Sequence, residues 1–203
     1  MRRLAEIEPG RRARDLAAPG GAAAGKDPRL VQAILDESAA IVGSGHGVLV
    51  CETHHGLICA NAGVDQSNTA GADEVLLLPA DSDRSARALR AGIAALRGGL
   101  GPAVVISDSF GRAWRLGQTD VAIGAAGLAP VDDWRGRRDG RGRQLHASVI
   151  AVADAVAAAA DLARAKDSRE PAVLVRGLGR FVTAADGPGA AALRRPATED
   201  LFR

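Results

Sequence analysis

The sequence predicts a mixed α/β chain, α+β in class. Short β-branched runs such as "GVLVCE", "GLICA" and "AVVIS" alternate with stretches whose apolar residues recur at helical spacing. Acidic cap residues stand where two of those helical stretches begin. A length of 203 residues suffices for a substantial core, in one domain or two small interlocked ones.

Residues 1–26 are rich in Arg, Ala and Gly, and "APGGAAAGK" is a flexible connector. Lys26 is followed by Asp-Pro where a phosphate loop needs Ser or Thr, so no Walker motif is present. Asp27 and Pro28 supply an N-cap and a first-turn proline. Leu30, Val31, Ile34, Leu35, Ile41 and Val42 then predict a helix over 28–42. Residues 1–45 form an N-terminal arm and helix, and 46–203 form the core that carries the polar loops.

Residues 47–52 and 56–60, separated by "THH", predict a hairpin. "EVLLLP", 74–79, is a strand, and Asp81 or Ser82 caps a helix running to about Leu96 with Ala88, Leu89, Ile93 and Leu96 on one face. "AVVIS", 103–107, has the continuous apolar character of a strand buried on both faces, and it delivers Asp108 and Ser109 at its end. Another strand and a turn follow over 119–127. An Arg/Gly/Asp loop covers 131–143, an Ala-rich helix 147–165, and "AVLVRG", 172–177, closes the sheet. The last turn, "EDLFR", packs Leu201 and Phe202 onto the body.

Composition excludes several functions. Twenty-six Lys and Arg against 24 Asp and Glu leave a formal charge of +2, too little for a generally basic nucleic-acid surface. Three Phe, two Trp and no Tyr supply few stacking platforms for single strands. No run approaches the about 18 apolar residues of a membrane span, so the protein is expected in the cytoplasm, with no membrane or nucleic-acid partner. Cys51 and Cys59 make no metal-ligand pattern and are expected as buried thiols.

The chemical signal lies in two acidic loops, each entered from an apolar strand: Asp65 with Asn68 in "CANAGVDQSN", and Asp108 with Ser109. Carboxylate and hydroxyl oxygens suit Mg2+ or Mn2+ with phosphate completing the shell, although Asp and Asn at strand ends equally serve as turn formers and caps. Arg112 and Arg115 offer charge for phosphate or carboxylate, or are solvated surface groups with Trp114 in the core. His54 and His55 are adjacent and would point to opposite faces of a strand, which suits a turn role better than shared ligation. His146 is isolated, and "RGRRDGRGR" is too short and interrupted for an RGG segment. No nucleophile elbow and no GxGxxG occur.

Together "ETHHGLICANAGVDQSN", "VVISDSFGRAWRLGQTDVAIGAAGLAP" and "PAVLVRGLG" resemble the coenzyme F420 gamma-glutamyl ligases, and the similarity runs from about Leu4 to the C-terminus. The resemblance implies an intertwined homodimer of that family's mixed α/β fold. It implies a carbon-nitrogen ligase that uses GTP to add L-glutamate to a deazaflavin coenzyme precursor, with two divalent ions, Mn2+ or Mg2+. It places a first metal on Asp65 and Asp108, a second on Ser109 where the family carries threonine, and GTP on Asn68. Arg112 and Arg115 are the catalytic candidates read from charge and spacing. A further second-metal position falls near Lys166, within Arg164 to Pro171, and a lysine there is a cation and not a ligand.

The family also carries, ahead of the segment resembling "LAEIEPG", a proline/glycine loop and a lysine that touch the nucleotide. The two readings are an upstream start and a divergent protein with part of the GTP pocket missing. In the second case the chain would be a silent dimeric binding protein. A metal-dependent phosphotransferase on another substrate is the third function considered.

Overall fold

The computed structural model describes residues 1–200 except 68, 70 and 72, and it resolves into two compact units, Met1–Ala80 and Asp81–Arg203. The predicted break at residue 45 falls inside a strand pair of the first unit.

In the first unit the Asp27 carboxylate accepts the Arg29 N–H at 2.8 Å, and Pro28 opens the second helix. That unit comprises β1 (Arg2–Arg3), α1 (Arg11–Ala17), α2 (Pro28–Asp36), β2 (Ser38–Gly45), β3 (Val48–Thr53), β4 (Ile58–Ala60) and β5 (Glu74–Val75). Leu30, Val31 and Ile34 of α2 are buried with Leu4, Leu49, Cys51, Val64 and Val75. The helix ends at Asp36, short of the predicted residue 42. Ile41 continues the helical spacing, yet it pairs with Cys51 in β3, where its branched side chain fits a pleated surface.

Strands β2, β3 and β4 form one antiparallel sheet, and the predicted hairpin of β3 and β4 sets Cys51 opposite Cys59, both buried. His54 Nε2 lies 3.0 Å from the Asp36 carbonyl and His55 Nε2 lies 3.1 Å from that of Ala80, which gives both rings turn-fixing partners. "EVLLLP" forms a strand only at β5, which pairs with β1, and Leu76 adds a bridge to Asp65.

The second unit contains α3 (Ser82–Arg97), β6 (Val104–Arg112), β7 (Arg115–Ala126), β8 (Val131–Asp133), β9 (Val149–Ala151) and α4 (Val152–Leu162). Asp81 caps α3 by accepting the Arg84 N–H at 2.8 Å, and Gly98 ends it in the left-handed region. Leu89 and Leu96, placed by the sequence on an apolar face, are exposed; the buried positions are Ser82, Ala86 and Arg90.

Strand β6 is not buried on both faces as predicted, its residues being half-buried or exposed. It runs through Asp108 and Ser109 to Arg112 and pairs antiparallel with β7, and α3 and α4 both pack on β7. The predicted helix over 147–165 is divided between β9 and α4, and residues 172–177 are not a strand, with Leu174 71% exposed. Leu201 and Phe202 lie outside the described residues.

Two side chains of α3 hold the segment after residue 182. Asp83 accepts the N–H groups of Ala125 at 2.8 Å, Ala190 at 2.7 Å and Ala191 at 3.2 Å. Arg90 donates to Asp186 at 2.6 Å and to the carbonyls of Thr183 and Ala184 at 3.0 Å each.

Close approach of α3 to β7 depends on Gly124, where a Cβ would stand 2.3 Å from the Ser82 carbonyl oxygen. Backbone on both sides must shift to admit it. Gly124→Ala is therefore expected to lower unfolding stability by about 2 kcal/mol, measured by urea denaturation. An unchanged midpoint would remove this contact from the packing account.

Candidate active site

In the first unit β4 leads into a turn, Asn61–Gly63, in which Asn61, Ala62 and Gly63 all have positive φ, at 50°, 54° and 71°. Two consecutive non-glycine residues in that region carry strain, a recurrent property of functional turns. The turn is held by Asn61 Oδ1, which accepts the Leu49 N–H at 3.3 Å, and by burial of Ala62. Gly63 is required twice over, by its φ and because a Cβ there would overlap the Leu78 side chain at 2.6 Å.

The strained turn delivers Asp65, whose backbone pairs with Leu76 in both directions, at 3.1 and 2.7 Å. The exposed Asp65 carboxylate accepts the Ser67 N–H at 2.9 Å and also the Ser67 hydroxyl. Asn68, the expected nucleotide contact, lies outside the described residues.

The second unit contains a group that sequence reasoning missed. Asp120 is 1% exposed and sits opposite Ser109 in the β6–β7 register. Its Oδ1 accepts from Ser109 Oγ at 2.7 Å, and its Oδ2 accepts from Ser107 Oγ at 2.7 Å and Arg164 at 2.6 Å. Lys166 Nζ donates to Ser109 Oγ at 2.9 Å and lies 4.0 Å from Asp161.

Burial works to raise the Asp120 pKa. The Ser109 and Ser107 hydroxyls, with the charges of Arg164 and Lys166, outweigh burial and hold it below its ordinary value. The available signal was a lone acid within the apolar strand "TDVAIGAA", opposite alternating serines.

Asp108 belongs to the same strand, and its Oδ1 accepts the Ser109 N–H at 2.9 Å. Arg112 and Arg115 pair at the exposed hairpin tip, where Arg112 donates to the Leu116 carbonyl at 2.8 Å. Four residues of strand, about 13 Å, separate Arg112 from Asp108. Trp114, expected as core, is 83% exposed at that tip. The "RGRRDGRGR" loop is largely self-paired: Asp139 accepts the N–H groups of Arg141 and Arg143, and Arg137 stacks on Trp134.

Among the described residues no three His, Cys, Asp or Glu side chains gather as a metal-holding group. Asp65 in the first unit and Asp108 in the second each have the oxygen-donor chemistry of a hard divalent-ion ligand, each carboxylate being oriented by a backbone N–H two or one residues ahead. Ser109 does not fit a second ion. Its hydroxyl is engaged by Asp120 and by an ammonium, and both Asp120 oxygens are taken by hydroxyl and guanidinium donors.

Fold and site together define a mixed α/β protein with an acidic turn at Asp65 in its first unit and, in its second, Asp108 within β6 beside a cationic cluster at Ser109. The chain belongs to the F420-0:Gamma-glutamyl ligase family, whose model matches residues 1–177. It is 44% identical to the Coenzyme F420:L-glutamate ligase of Methanothermobacter thermautotrophicus, over 98% of this chain and 77% of that protein. Identity to the protein of the same name from Methanopyrus kandleri is 43%, over 98% and 78%. The Haloarcula marismortui relative, also of that name, is 46% identical over 86% and 68%.

Proposed function

We propose that this protein is a GTP-dependent ligase that joins L-glutamate by an amide bond to the deazaflavin precursor of coenzyme F420. The observation that carries the reading is the match, along nearly the whole chain, to relatives named for coenzyme F420 and L-glutamate ligation.

A carboxylate is a poor acyl donor because oxide would have to leave. In the proposed reaction a precursor carboxylate oxygen bonds to the γ-phosphorus of GTP as the bond to GDP breaks, giving an acyl phosphate. The glutamate amine then forms the C–N bond, the C–O bond to phosphate breaks, phosphate takes the electron pair, and the amine loses a proton. Such transfers require positioning and charge neutralisation above all.

A divalent ion, Mg2+ or Mn2+, on Asp65 and Asp108 supplies charge to phosphate oxygens when bound. Arg164 and Lys166 contribute fixed positive charge beside Ser109. Arg112 and Arg115, exposed at the hairpin tip, are assigned to anionic groups of the substrates. A homodimer belongs to the same reading, supported by exposed apolar residues including Leu116 and Leu174.

The test incubates purified chain with GTP, Mn2+, L-glutamate and the unglutamylated precursor. The expected outcome is a product heavier by one glutamyl residue, with glutamate-dependent release of phosphate. Phosphate release that ignores glutamate points to a phosphotransferase, and a folded dimer without turnover points to a silent binding protein. Among the described residues no helix is long and apolar enough to cross a membrane.

A further inference from the structure

The ammonium of Lys166 lies against Ser109, the residue to which the family resemblance assigns a second divalent ion. A hydroxyl has one proton to donate and two lone pairs. The Ser109 proton is directed at Asp120, 2.7 Å away, and Lys166 Nζ donates to the same Ser109 oxygen from 2.9 Å. Arg164 reaches Asp120 at 2.6 Å, and Lys166 also lies 4.0 Å from Asp161. A divalent ion entering beside Ser109 would meet a positive charge already in place. Both oxygens of Asp120, the carboxylate nearest Ser109 in this cluster, already carry hydroxyl or guanidinium donors.

We propose that Lys166 replaces the second divalent ion, so that each chain takes up one divalent ion and Lys166 supplies the other positive charge to the nucleotide phosphates. This rests on the GTP-ligase reading for its ligand. The charge arrangement on which it depends lies wholly within the second unit. An ammonium is a compact, strongly hydrated point charge with three donors and no acceptor, so it can bind a phosphate oxygen but cannot hold a metal. The Lys166 side chain is 76% exposed, so it is accessible to a ligand and open to substitution without disturbing the core.

The measurement is the number of Mn2+ ions bound per chain, obtained from the loss of the free-ion EPR signal as purified full-length chain is titrated with Mn2+ alone. The wild-type protein and Lys166→Arg are expected to bind one ion. Lys166→Gln, which removes the charge and offers a carbonyl oxygen beside Ser109, is expected to bind two. Two ions on the wild type, none on the wild type, or one on the Gln variant would each overturn the proposal. Failure of glutamyl transfer with a wild-type count of one and a Gln-variant count of two would reject the ligase reading and leave the charge replacement standing. Turnover by a wild-type chain that binds two ions would do the reverse.

Discussion

Asp120→Ala is expected to unfold with about 3 kcal/mol less free energy than the wild type near neutral pH. Removing this carboxylate leaves Arg164 without the partner it meets at 2.6 Å, and two serine hydroxyls lose their acceptor in a half-buried strand. The loss should depend on pH with a definite sign. Folding depresses the Asp120 pKa, so its contribution is fully present above the ordinary aspartate value of 3.8 and fades as pH falls through the lower folded value. Urea denaturation of both proteins from neutral to acid pH should give curves that are well separated near neutrality and converge in acid. A gap unchanged down to the most acidic point would show that lost packing, rather than lost charge, causes the effect.

The second large effect concerns catalysis and leaves stability nearly alone. Asp65→Ala and Asp108→Ala should each lower glutamyl transfer by about 1,000-fold, which corresponds to ~4 kcal/mol of transition-state stabilisation. Asp65 is exposed, and its side-chain partners are a neighbouring N–H and hydroxyl in its own turn. Its replacement should therefore shift unfolding by no more than about 0.5 kcal/mol. Product mass, followed beside the urea midpoint, separates the two quantities. Wild-type turnover in either variant would remove that aspartate from the proposed metal site.

The parts of the fold legible in the sequence are those governed by neighbours along the chain. Asp27 with Pro28 and Asp81 mark helix starts because a cap needs only the next few N–H groups, and both bonds are formed. The β3–β4 hairpin is legible for the same reason. The spacing of Ile41 suits a helix, and only pairing with Cys51 makes it a strand residue. Pairing with β7 likewise carries β6 past Asp108 to Arg112.

The site shows the same division. Asp65, Asp108 and Ser109 are visible as acidic or hydroxyl residues at the ends of apolar runs, and the family resemblance gave them roles. Asp120 is not legible as a site residue because its partners stand 11, 13 and 44 residues away in sequence. Lys166 was recognised as a cation out of place, but its contact with Ser109 spans 57 residues and needs the fold to reveal it.

Asp83 and Arg90 give the segment after residue 182 a borrowed persistence. Among its described residues that stretch has no strand, yet its amides at Ala190 and Ala191 and its carbonyls at Thr183 and Ala184 are tied to one helix. Any fluctuation that unwinds α3 releases these ties together, whereas fraying of the chain's last residues leaves them in place. Slow amide exchange at Ala190 and Ala191 in so irregular a segment would therefore report the lifetime of α3.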